Sequence, residues 1–147
     1  MVWFWVIIES IMENIFLKII SREIPAHIVY EDDLVIAFLD ILPVNHGHTL
    51  IVPKKHFVNI LDGDPDTLAH MMKVAQKIAK AVVTELKADG FNLIVNNGEA
   101  GGQEVMHSHF HVVPRYLGDN AYQKPSHVEP TPEDFLEVRD KLVKGVG

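Results

Sequence analysis

A chain of 147 residues is long enough for one domain with a substantial core, in which folding buries roughly two thirds of the unfolded surface. Thirteen basic against twenty acidic residues leave a net charge of −7, so no basic stripe is available to neutralise a long nucleic acid. Without cysteine there is no disulfide framework and no thiolate chemistry, and any catalysis or ligation falls to carboxylates and to the nine histidines.

The N-terminus is apolar from Val2 to Ile8, but it lacks a basic leader and Glu9 ends it far short of a bilayer span. It is expected to be a buried extended segment of a cytoplasmic protein with no membrane partner. Ile11 to Ile20 has a helical apolar face and stops before Pro25. Residues 27–30, 34–39 and 48–52 are short and rich in β-branched side chains, and predict an antiparallel meander. Asp64-Pro65 is a cap followed by proline at the first helical position, and apolar residues then recur at helical spacing from Leu68 to Leu86. Met71 and Met72 belong to that pattern and are expected in the core. Two more strands, residues 91–95 and 110–116, flank the glycine-rich loop Asn96 to Gly102. A last helix starts at Thr131-Pro132, where Asp134 completes a capping box. The order αβββαββα defines an α+β domain with an antiparallel sheet of about five strands, a long central helix and short terminal helices.

The chemistry concentrates in His107-Ser108-His109-Phe110-His111. Alternation along a strand sends the three imidazoles to one face and Ser108, Phe110 and Val112 to the other, and such a cluster is expected to exchange protons near neutrality. A solvated strand face explains three histidines in five residues poorly. Zinc ligation is the sharper competitor. Gly98, Gly101 and Gly102 precede the triad, and such a loop turns backbone N–H groups toward an anion, which favours phosphate chemistry with a histidine nucleophile. His27, His70 and His127 read as surface or satisfied residues, His46 as a solvated loop residue, and His56 as part of the basic cluster after Lys54-Lys55.

His107-Ser-His-Phe-His-Val-Val113 resembles the signature of the histidine-triad (HIT) family, His-φ-His-φ-His-φ-φ with φ apolar. Similar segments in family order are Phe16-Leu-Lys-Ile-Ile20, Ala37-Phe-Leu-Asp-Ile41, Gly47 to His56, and Asn96-Asn-Gly98 through Val105. The resemblance covers residues 13–117, leaving residues 1–12 as an apolar extension and 118–147 as a C-terminal loop and helix expected to pack on the same domain. It implies a HIT-like fold and hydrolysis or transfer at the α-phosphate of a purine nucleotide through a nucleotidyl-histidine; an idle nucleotide-binding module is the alternative. His109 becomes the nucleophile, His111 and His48 flank the phosphate and leaving group, and His107 orients its neighbours. The resemblance assigns Asp40 to the ribose hydroxyls, Phe16, Ile19, Phe38, Ile41 and Leu50 to the base pocket, and Asn96, Gly102, Gln103 and Val105 to the phosphates. It implies no cofactor, and a homodimer with a continuous sheet. Ser108 departs from the signature by being polar. Asn14 and Leu17 stand where some members carry zinc-binding cysteines, so no metal is expected.

Overall fold

The computed structural model describes residues 15–147, and the expectations for residues 1–12 and for the start of the first helix lie outside that range. Chain order is α1 (Ile15–Ile20), β1 (Ile28–Glu31), β2 (Val35–Leu39), β3 (Thr49–Pro53), α2 (Pro65–Glu85), β4 (Gly90–Val95), β5 (Phe110–Arg115) and α3 (Pro132–Val146). The five strands form one antiparallel sheet in the order β1-β2-β3-β5-β4, so the α+β architecture and the meander are as expected.

Alternation along the strands builds two cores. Val35, Ala37, Ile51, Phe110 and Val112 face α2 and pack on its Met71, Val74, Ala75, Ile78 and Val82. Ile36, Phe38, Leu50 and Val52 face the opposite way and are covered by Phe16 and Ile19 of α1. Asp64 caps α2 by accepting from the Thr67 N–H at 2.9 Å, as the sequence predicts. Met72 departs from the expectation: it is 50% exposed, on the flank of the helix that borders an open groove rather than the core.

The triad is not wholly on a strand. β5 begins at Phe110, so His111 lies within it while His107 and His109 precede it, and the backbone N–H of Ser108 donates to the carbonyl of Phe57 at 2.8 Å. Ser108 is buried, and its hydroxyl has no partner among the described residues. A buried, unpaired hydroxyl costs free energy that an apolar side chain at this position avoids.

The capping box at Thr131 and Asp134 is formed, yet no side chain of α3 is buried. Its Phe135, Val138, Leu142 and Val146 all stand in solvent. No helix of the described residues is long and apolar enough to cross a membrane.

Asp32 fixes the β1–β2 turn to α2. Its carboxylate accepts from the backbone N–H groups of Leu34 and Val35, from the Tyr30 hydroxyl at 2.8 Å and from His70 Nε2 at 2.6 Å. Partial burial pushes its pKa up, but the bond from His70 and those from Val35, Leu34 and Tyr30 outweigh burial and hold it well below the usual carboxylate range. A group depressed in the folded state stabilises above its unfolded pKa of about 4 and loses that contribution as pH falls. Asp32→Ala is therefore expected to cost about 2 kcal/mol at pH 7, and denaturant melts should show the gap closing below about pH 4.

Candidate active site

The face of the sheet opposite α2 carries the histidines. His107 is fully buried, and its Nε2 lies 2.8 Å from the carbonyl of Pro53 at the end of β3. A carbonyl only accepts, so Nε2 carries the proton. By the same reasoning His109 is protonated at Nδ1, which lies 2.8 Å from the carbonyl of His107. Its Nε2 is left as an unprotonated lone pair.

His48 and His111 form a second chain. The backbone N–H of Val44 donates to His48 Nδ1 at 3.1 Å, which leaves the proton on Nε2, and that nitrogen sits 2.9 Å from His111 Nδ1. His111 consequently carries its own proton on Nε2, a buried donor with no partner among the described residues. The four rings fit together through Phe16, whose edge meets His107 and His109 at centroid distances of 5.8 and 4.9 Å, and through the 4.8 Å contact of His109 with His111.

Burial decides their charge. It lowers His107 and His111 to about 4, aided at His111 by its histidine neighbours and opposed at His107 by the bond to Pro53. Burial also lowers His48 and His109, against the opposing fields of Asp40 on both and of Glu104 on His109. The expected proton exchange near neutrality is thus corrected for His107 and His111, because desolvation outweighs the carbonyl bond and the Asp40 field.

His48, Asn96, Gly102, His109 and His111 share the wall of one cleft of about 280 Å³, at the small end of ligand sites. Asp40 lies beside it, with one oxygen 3.7 Å from His48 Nε2 and the other accepting from the Leu42 N–H at 2.9 Å. Phe16, Ile19, Phe38 and Leu50 form the apolar layer beneath the rings, and Val105 packs against it. Ile41 is not part of that layer and is 82% exposed. Gln103 is buried with its side chain committed to the protein: Oε1 accepts from Gly98 N–H, and Nε2 donates to the carbonyls of Val58 and Val105. It braces the loop that presents Gly102, whose φ of +83° suits glycine. Gly47 is favoured by its backbone, with φ of +93° in the left-handed region.

Sequence reasoning missed Glu104, Val44, Ile94 and Tyr122, which also line the cleft. Tyr122 is brought there by Arg115, whose guanidinium stacks 4.9 Å from its ring while pairing with Asp119 and Asn92. His56, which the sequence places in a basic cluster, has its ring 4.9 Å from that of His107.

Two metal readings can be tested on these residues. Leu17 of α1 offers no donor for a helix-borne zinc site. Asp40, His48 and His111 place ligand atoms within 4.8 Å of one another. Of the nitrogens, His48 Nδ1 accepts from Val44 and His48 Nε2 bonds His111 Nδ1 at 2.9 Å, so a cation between those two rings would replace the shared proton, while His111 Nε2 has no partner among the described residues.

The HIT domain model matches residues 21–118. The chain is 50% identical to a HIT-like protein of Methanocaldococcus jannaschii over 89% of its own length and 98% of that relative's. An adenylylsulfatase of Arabidopsis thaliana is 43% identical over 73% of this chain and 55% of that protein. A solved structure from Streptococcus mutans superposes with a TM-score of 0.84 at 39% identity, covering 90% of this chain and 84% of the other. The chain belongs to the HIT family.

Because only neutral His109 has a lone pair to offer and burial lowers its pKa, any activity that needs it is expected to have its acid limb below the ordinary imidazole value of about 6.5. A kcat/KM profile falling with a midpoint above 6.5 would contradict this.

Proposed function

We propose that the protein is a nucleotide hydrolase or transferase in which His109 Nε2 attacks the α-phosphorus of a purine nucleotide, forming a nucleotidyl-histidine that water then cleaves. The observation that carries this reading is the fixed tautomer of His109: Nδ1–H is tied to the His107 carbonyl, and Nε2 is left with a lone pair beside the cleft. The same bond stabilises the positive charge that grows on the ring as the P–N bond forms. His111 Nε2–H is an unpaired donor placed to bind an oxygen whose charge rises in the transition state. Asp40 takes the ribose hydroxyls with its partly exposed carboxylate. The apolar layer around Phe16 and Ile19 supports the base, and Asn96 with the Gly102 loop supports the phosphate. The adenylylsulfatase among the relatives favours chemistry at an adenylyl phosphorus.

His109→Ala is expected to reduce turnover of an adenosine phosphoramidate by about four orders of magnitude while nucleotide affinity stays within a few-fold, since attack is lost but the pocket is kept. Rapid-quench labelling with a radioactive substrate should trap the adenylylated wild type and not the variant. Comparable turnover by the variant would exclude His109 as nucleophile.

The proposed assembly is a homodimer formed along β4. That strand is one of the two edges of the sheet among the described residues, with Phe91 and Leu93 partly exposed, and beside it α2 leaves an apolar groove of about 630 Å³ bordered by Met72 and Val83. An uncovered edge with an apolar flank is a surface that pairs. Sedimentation should give about twice the 16.6 kDa chain mass, and Leu93→Arg should shift it to the monomer. A wild-type monomer at micromolar concentration would end the proposal.

A further inference from the structure

Glu104 occupies an unusual place between two committed neighbours. Gln103 is buried and spent on bracing the glycine loop, Val105 packs into the apolar layer, and Glu104 alone points its exposed side chain to the cleft wall shared with His109, His111 and Tyr122. It forms no ion pair among the described residues, whose ion pairs lie elsewhere. Among the described residues lining the cleft it is the one carboxylate, and no lysine or arginine accompanies it. Arg115 stands behind the Tyr122 ring and is neutralised by Asp119.

The topology separates this charge from Asp40. Asp40 follows β2, whereas Glu104 lines the cleft with Ile94 and Asn96 at the end of β4, and between β2 and β4 in the sheet run β3, which His48 immediately precedes, and β5, which contains His111. A nucleotide whose ribose is held at Asp40 and whose α-phosphorus meets His109 extends its leaving group toward Glu104. We propose that Glu104 is a specificity-determining residue that selects nucleoside phosphoramidates whose amine bears a cationic tail, and disfavours anionic and polyphosphate leaving groups. The proposal rests on the reading of His109 as the nucleophile.

The reaction balances with water alone. The P–N bond to the amine breaks as the bond from His109 Nε2 to phosphorus forms, and the departing nitrogen takes up one proton from solvent in the open cleft. Water then cleaves the nucleotidyl-histidine and returns that proton, so the products are the nucleoside monophosphate and the amine. An ammonium on the tail gains from the Glu104 field throughout, whereas a carboxylate is repelled.

The test uses three adenosine phosphoramidates of equal tail length ending in ammonium, methyl or carboxylate. Wild type should prefer the cationic over the anionic compound in kcat/KM by roughly tenfold at low salt, and the ratio should shrink as ionic strength rises. Glu104→Gln should bring the ratio within about twofold of one, and Glu104→Lys should invert it. A wild-type ratio near one, or a preference unchanged in Glu104→Gln, overturns the proposal. If wild type hydrolyses none of the three, the hydrolase reading fails. The charge preference is then decided by competition binding of the same compounds to His109→Ala protein, where equal affinities overturn it.

Discussion

The hydrogen bond from His109 Nδ1 to the carbonyl of His107 is the constraint on which the rest of the site depends. It selects the tautomer, fixes the ring, and provides an acceptor for the proton that must stay on Nδ1 when Nε2 bonds to an electrophile. The carbonyl is itself held in place. The His107 ring ties back to Pro53 at the end of β3, and the next N–H, that of Ser108, ties to Phe57. Three bonds thus lock a segment that precedes β5 and has no ladder of its own. Stability and function share the same groups, because the buried imidazole of His107 holds the backbone that orients His109.

Burial is the second constraint, and it acts on all four histidines in one direction. Four imidazoles clustered in one site, with His111 in contact with both His48 and His109, would repel one another if charged, and desolvation opposes that charge on each of them. Neutrality in turn makes the hydrogen-bond chain directional: each ring has one donor and one acceptor, and Val44 at one end dictates the proton positions through His48 to His111. A charged His48 would lose the acceptor that Val44 uses and reverse the logic of the chain.

Much of this was legible in the sequence because it obeys local periodicity. The Asp64-Pro65 cap, the Thr131 capping box, the apolar repeat of α2 and the alternation of β2 and β3 each reflect a backbone requirement met by adjacent residues. The triad was legible for a different reason, since three histidines at alternating positions have few structural uses. What was not legible lacks a periodic signal. His56 meets His107 across 51 positions, and Tyr122, although near Arg115 in sequence, stands against its guanidinium in an irregular segment where no helix or strand spacing marks the contact. Ile41 is the converse case. Its segment matches the family, but its side chain follows the end of β2 into a loop where nothing covers it.

The Arg115–Asp119 pair also ties the residues just beyond β5 to the site. Asp119 accepts from Arg115, from the backbone N–H groups of Tyr116 and Ala121, and from Asn45, whose amide also reaches the Pro114 carbonyl. Arg115 holds Asp119 far below the usual carboxylate range, with the Tyr116 and Ala121 bonds acting in the same direction. One carboxylate therefore clamps the end of β5 to the loop that leads into His48, and the same arginine presents its face to Tyr122. The β2–β3 loop, the end of β5 and residues 119–122 are thereby joined in one hydrogen-bonded network. The part of the cleft wall built from Val44 and Tyr122 therefore stands beside a network centred on Asp119, and the Val44 N–H carries its position on to His48 and His111.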